Sequence, residues 1–180
     1  MSKFKWLVYS VVLVGFLVVL YNKTSPADYN RLQEVLKAKE WQQADLETTI
    51  IIIKVSGREW MGWWNWFHWP DSFKKFSCED LRIIDQLWVK YSEGHFGFSV
   101  QQHIWESIPQ KNDSDPYKIF EIFANRVGWL TNDSSKLLFT LDAPQGELPS
   151  FEWMQKATPG GSSWPDSGVD LFSRVKTCGI

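Results

Sequence analysis

Cysteine and histidine are both scarce in this chain, and their scarcity removes several kinds of chemistry at once. Only Cys78 and Cys178 occur, a hundred residues apart, so neither a disulfide framework nor a zinc ligand set can be assembled from spacing. A pair of reduced thiols is the simplest account of them, and one disulfide is the alternative. The three histidines, His68, His95 and His103, are too scattered to make a site. His103 lies on an otherwise apolar helix, where an axial metal ligand is conceivable but a surface or satisfied core role is several times commoner. Also missing are a Gly-rich phosphate loop and a Gly-x-Ser-x-Gly nucleophile turn, so the chain is not expected to be an enzyme. Glu79 and Asp80 are adjacent carboxylates, but they fall at a helix N-terminus, where complementing the helix dipole accounts for them better than acid-base catalysis. An excess of positive charge is lacking too: 19 Lys+Arg stand against 21 Asp+Glu. No nucleic-acid partner is expected from that balance.

What the chain has in abundance is aromatic surface. Twelve Trp, twelve Phe and five Tyr make up 16% of 180 residues, more than an ordinary small core needs. The second conspicuous feature is an uncharged run from Trp6 to Tyr21, preceded by Lys3 and Lys5 and followed by Lys23. An ideal spanning helix takes about 20 apolar residues, and tilt-free mismatch of this size is absorbed by interfacial Trp and Tyr and by snorkelling lysines. The residues after the run, Tyr21-Asn22-Lys23, carry no small-x-small cleavage pattern, which favours a retained signal anchor over a cleaved signal peptide. Residues 1–5 are then a basic flank, 6–21 a single-pass transmembrane anchor, 22–27 a linker and 28–180 one domain. Lys3 and Lys5 favour a cytoplasmic N-terminus while Lys23, Arg31 and Lys37 oppose it, so the side of the membrane holding the domain stays open.

The domain reads as all-α. Asp28 can cap a helix carrying Tyr29, Leu32, Val35 and Leu36, and a second helix carries Trp41, Ala44, Thr48, Ile51, Ile52 and Val55 on one stripe. The β-branched run Ile50 to Ile53 suits a strand in isolation, but the 3.6-residue stripe through it is longer than any alternation. Ser77 to Asp80 is a capping box for a helix with Leu81, Ile84, Leu87, Trp88 and Tyr91 that stops at Gly94. Ser99 with Gln102 opens another, carrying Val100, Ile104, Trp105 and Ile108. Asp115-Pro116 starts a fifth, with Phe120, Phe123, Ala124 and Val127. From Asn132 turn residues dominate; Met154 to Gly168 reads as a flexible loop and Leu171 to Cys178 as a short returning helix.

Several motifs in consistent order carry a resemblance: Val55-Ser-Gly-Arg-Glu59, Cys78-Glu-Asp-Leu81, Ile84-Asp-Gln-Leu-Trp-Val-Lys-Tyr-Ser92, Gly94-His-Phe-Gly-Phe-Ser-Val-Gln101, Arg126-Val-Gly-Trp129, Phe139-Thr-Leu-Asp-Ala-Pro-Gln-Gly-Glu-Leu-Pro149 and Leu171-Phe-Ser-Arg-Val175. Over about residues 28 to 178 the chain resembles the genomes uncoupled 4 family. The resemblance implies a small helical domain with an open apolar palm for protoporphyrin IX or Mg-protoporphyrin IX, and a non-enzymatic role in chlorophyll synthesis. The large porphyrin-binding subunit of magnesium chelatase would be the partner. It also implies that Phe76, Trp129 and Trp153 line the palm, with Arg58 and Arg174 near the porphyrin propionates.

Two departures stand beside these matches. Phe76-Ser77-Cys78 replaces the Phe-Pro-Cys usual in the family, and the segment before it, Trp60 to Trp69, holds five tryptophans in ten residues. Trp63, Trp64 and Trp66 are expected to widen the palm or rest on the bilayer, with a cap on the core as the bland alternative. A bilin thioether at Cys178 is a further option, although a thiol near a terminus is more often incidental. The competing functional reading is a membrane-tethered protein-interaction module that kept the fold without the pigment.

Overall fold

The structure, a computed structural model, describes residues 28–56, 76–109, 115–130, 137–150 and 164–180. The Asp28 carboxylate accepts the Asn30 N–H at 3.0 Å and opens α1, Tyr29–Lys37, as the sequence suggests. Lys39, in the left-handed region at φ 58°, turns the chain into α2, Trp41–Val55. Ile51 and Ile52 are buried on the same stripe as Trp41, Ala44 and Thr48, so core burial overrides the β preference of the isoleucine run. The hydroxyl of Ser77 accepts the Asp80 N–H and starts α3, Cys78–Tyr91. Then follow α4, Phe98–Glu106, and α5, Pro116–Arg126, the latter capped by Asp115 through the Tyr117 N–H at 3.0 Å. The last element is α6, Trp164–Thr177. Every regular element among the described residues is a helix.

Two helices begin earlier than their sequence signals indicate. Ser99 does not cap α4; Gly97 does, and the cap acceptor comes from another helix, because Asp85 of α3 accepts both the N–H of Ser99 at 2.8 Å and its hydroxyl at 3.0 Å. Gly97 has φ 132°, and a Cβ there would lie 2.9 Å from Asp85 Oδ1, so glycine lets the carboxylate reach the helix start. Similarly, α6 already includes Trp164 to Gly168, part of the stretch expected to be loop. A Cβ on Gly168 would sit 2.3 Å from Phe120 Cε2; the glycine that weakens the helix signal is what lets α6 lie against α5.

The helices enclose two apolar clusters. In the first, α1, α2 and α3 bury Leu32, Leu36, Ile52 and Leu81 around three rings: Trp41 stacks on Trp88 at 6.2 Å, and Phe96 meets both edge-on. The Trp88 indole donates to Thr48 Oγ1 at 2.9 Å, and Thr48 donates in turn to the Ala44 carbonyl. The second lies between α5 and α6, where Phe123 packs against Phe172 at 4.7 Å and Trp129 at 5.3 Å, and Trp105 stacks on Phe172 at 4.8 Å. Much of the aromatic excess is therefore core. α6 joins the two clusters, with Leu171 and Val175 in one and Phe172 in the other. The Tyr29 hydroxyl donates to the Asp80 carboxylate and ties α1 to α3; burial first, then that hydrogen bond and the Asp80 charge, hold its phenol well above the usual range.

The cysteines are not free thiols. Cys78 at the first residue of α3 and Cys178 just past α6 form a disulfide, with Cα atoms 5.2 Å apart. Cys178 is also buried, so no thiol stands ready there for a bilin. Spacing along the chain could not reveal this pair, because the contact is made by the packing of α6. Among the described residues no helix is long and apolar enough to cross a membrane. The expected anchor, 6–21, lies outside the described residues.

Candidate functional site

Apart from Trp129, the residues nominated from the sequence fall on two stretches, 57–75 and 151–163, and on the elements that flank them. Arg58, Trp63, Trp64, Trp66 and Trp153 lie outside the described residues. Phe76 and Arg174 are brought together. Phe76 is buried in the first core, and Arg174 of α6 donates from Nε to its carbonyl oxygen at 2.8 Å, across 98 residues of sequence. Trp129 is not with them. It packs in the second core, 3% exposed, and its indole N–H donates to the Glu147 carbonyl at 2.7 Å.

A set of polar ties that sequence reasoning missed holds the flanking backbone in place. Asp45, on the buried face of α2, accepts the Ser150 N–H at 2.6 Å and the Ser150 hydroxyl at 2.8 Å; Ser150 is the last described residue before 151–163. A carboxylate within an apolar stripe was the available signal, since a buried charge requires a donor. Segment 137–150 is stapled to α4 and to the α3–α4 turn. The Gln101 amide donates to the carbonyls of Gly146 and Pro149, each at 2.9 Å, and His95 Nε2 donates to the Ala143 carbonyl at 2.8 Å. Glu147 closes the segment on itself, accepting the N–H of Leu138 and of Phe139 on its two oxygens at 3.1 Å each. An open groove of about 590 Å³ lies beside it, lined by Glu40, Trp41, Gln42, Gln43, Leu46 and Phe139, and contains none of the nominated residues.

Burial pushes the Glu147 carboxyl above its ordinary range; the two N–H groups and His95 oppose that shift without cancelling it. Burial likewise raises Asp85 against the bonds from Ser99. An acid whose folded pKa is raised contributes stability that is fully present below its unfolded pKa and lost as pH rises through the folded value. Glu147 and Asp85 should therefore each contribute a fall in unfolding free energy as pH climbs above the ordinary carboxylate range, opposed by Glu106, whose carboxyl the bonds from Gln102 and Lys176 hold low, and Glu147→Gln should make the pH slope less negative, leaving the Asp85 share. Urea titrations at a series of pH values measure the slope; equal slopes in both proteins would show that Glu147 titrates as it does in the unfolded chain.

Among the described residues no group of three His, Cys, Asp or Glu is placed to hold a metal, and His103 is exposed. The architecture is thus a small all-helical domain with two intervening stretches whose flanking residues are cross-tied by a buried carboxylate, an arginine and a disulfide. Such a domain is recognisable by kinship. The chain belongs to the GUN4-like family, whose model matches residues 22–160. It is 33% identical over 137 residues to the uncharacterized protein ycf53 of Porphyra purpurea, covering 73% of this chain and 53% of that one. It is 34% identical over 102 residues to the chloroplastic tetrapyrrole-binding protein of Arabidopsis thaliana, covering 57% and 35%. The ligand-free structure of Arabidopsis thaliana GUN4 superimposes with a TM-score of 0.58 at 27% identity, over 82% of this chain and 93% of that one. GUN4 from Chlamydomonas reinhardtii gives the same TM-score and identity over 86% and 91%. The chain spans about half the length of the ycf53 relatives it matches.

Proposed function

We propose that this protein binds a porphyrin, protoporphyrin IX or Mg-protoporphyrin IX, without catalysing a reaction, and acts as a carrier or regulator of tetrapyrrole synthesis. The observation that carries this reading is kinship with a protein named for tetrapyrrole binding within a shared family. A porphyrin presents a flat apolar face and two carboxylates. The carboxylate end would meet Arg174, half-buried at the Phe76 carbonyl, and Arg82 of α3, which reaches the Cys178 carbonyl. The aromatic faces would come from Trp63, Trp64, Trp66 and Trp153, with Arg58 as a further cation. Trp129 would act through the backbone it holds at Glu147. Burying ~300 Å² of apolar ligand at about 25 cal/mol/Å² supplies roughly 7 kcal/mol before association costs, enough for micromolar binding. Residues 6–21 would fix the domain to a membrane, and the large subunit of magnesium chelatase would be the receiving partner.

A titration of protoporphyrin IX into the full chain in detergent tests this. Tryptophan emission should quench saturably with a red-shifted Soret band, and Arg174→Ala should weaken affinity about tenfold or more through loss of a charge-assisted contact. Linear, unsaturable quenching would defeat the pigment reading. Unaltered affinity in Arg174→Ala would place that arginine outside the site.

A further inference from the structure

Every cysteine of this chain is used in one bridge. Cys78 at the start of α3 and Cys178 just past α6 are the only two in the sequence, and their Cα atoms, 5.2 Å apart, stand at the separation a disulfide requires, so no free thiol is left. Such bridges form and persist in oxidising compartments and are rare where glutathione and thioredoxin keep thiols reduced. The placement of this one makes it sensitive to that difference. Cys178 is 2% exposed and belongs to the first core, whereas Cys78 is partly exposed, which gives an incoming thiolate a route to the bridge. A bridge open to attack on one side lasts only where its surroundings do not reduce it.

A second signal agrees with the first. In the sequence Lys3 and Lys5 before residues 6–21 stand against Lys23, Arg31 and Lys37 after them, but the fold removes two of those three from the comparison. Arg31 and Lys37 belong to α1, whose first turn is capped by Asp28, so they are part of the domain rather than of the linker. Arg31 is also held 3.7 Å from Glu34 and 3.7 Å from Glu47 of α2. Orientation is set by Lys and Arg in short flanks, while long segments and domains cross largely regardless of their charge. Lys23 alone is then left against Lys3 and Lys5, which keep the N-terminus on the side of synthesis and send the domain across.

We infer that the domain lies on the oxidising side of a membrane, across from the side on which the chain is synthesised, and binds its tetrapyrrole there. This rests on the membrane-anchored, pigment-binding reading above and adds the compartment in which it operates. Any partner that takes pigment from the domain meets it on that side, the large subunit of magnesium chelatase included. A direct handover to a partner confined to the side of synthesis is excluded.

The test uses the full chain in bacterial cells, with one added thiol as a reporter of side. Lys118 is exposed on α5, so Lys118→Cys supplies that thiol in an otherwise unchanged chain. A membrane-impermeant maleimide should label it in intact spheroplasts as fully as after permeabilisation. N-ethylmaleimide added at harvest should leave Cys78 and Cys178 unalkylated until dithiothreitol is given. Labelling only after permeabilisation would overturn the inference, and so would Cys78 and Cys178 found alkylated at harvest without reductant. Alkaline carbonate extraction scores the anchor separately. A chain recovered soluble outside the spheroplasts would defeat the anchor yet support the compartment, whereas one recovered soluble inside them would overturn both. Titration of protoporphyrin IX into the purified oxidised chain tests the pigment reading by itself: without a saturable Soret shift that reading falls, and the side of the membrane is still decided by the label.

Discussion

Trp88→Ala should lower the unfolding free energy by about 3–5 kcal/mol, the range for removing a large aromatic side chain from a core that cannot collapse around the void. Trp88 is fully buried at the centre of the first cluster, stacked on Trp41 and met edge-on by Phe96, so its loss strips two ring contacts as well as its own burial. It also leaves Thr48 Oγ1 without the donor it accepts at 2.9 Å, deep between α2 and α3. Trp88→Phe separates the two effects. It keeps most of the apolar volume and removes the indole N–H, and should cost about 1–2 kcal/mol from the lost hydrogen bond and the smaller ring. Urea denaturation followed by far-UV circular dichroism gives both numbers. A loss below about 1 kcal/mol for the alanine variant would mean that the cluster does not depend on this ring.

Trp88 was legible in the sequence because local pattern and tertiary role agree there. Its helix has a Ser77 cap, acidic residues in the first turn and an apolar face of fixed spacing. The same agreement made α1 and α5 readable, each with an aspartate cap accepting the N–H two residues on. Legibility failed where a local feature is supplied from far away. The acceptor at the start of α4 is Asp85, fourteen residues back on another helix, so Ser99 looked like a cap although its hydroxyl donates instead. Gly168 read as a loop residue because the reason for it is Phe120 of α5, which no local pattern contains.

The candidate site divides along the same line. Arg174 and Phe76 were nominated through resemblance, and their 2.8 Å bond is a product of how α6 returns onto the entry to α3. The Cys78–Cys178 bridge joins residues whose separation of 100 gives no clue to pairing. Glu147 sat unremarked inside a quoted motif, since a glutamate between Gly146 and Leu148 looks solvated until the backbone folds its own N–H groups around it. Asp45 differs, because its place on a buried stripe was visible and its partner was not.

That partner gives the second large effect. Asp45→Ala should destabilise the domain by about 2–5 kcal/mol, since it removes the acceptor for two buried donors, each costing about 1–3 kcal/mol when left unpaired. Ser150 is fully buried, so water cannot replace the carboxylate at its N–H and hydroxyl without opening the contact between α2 and segment 137–150. Asp45→Asn retains one acceptor oxygen and should lose roughly half as much, while Ser150→Ala removes only the hydroxyl and should cost about 1 kcal/mol. A double-mutant cycle over Asp45→Ala and Ser150→Ala isolates the hydroxyl contact, whose coupling should appear as sub-additivity of the two single losses. Because Ser150 leads directly into 151–163, the alanine variant should also weaken protoporphyrin binding at temperatures where it remains folded. The asparagine variant, keeping one bond to Ser150, should recover part of that affinity. Stability and porphyrin Kd measured on the wild type and these four variants decide the matter: additive losses in the cycle would remove the hydroxyl contact from the account, and a destabilised Asp45→Ala with wild-type affinity would show that Ser150 anchors the fold without positioning the site.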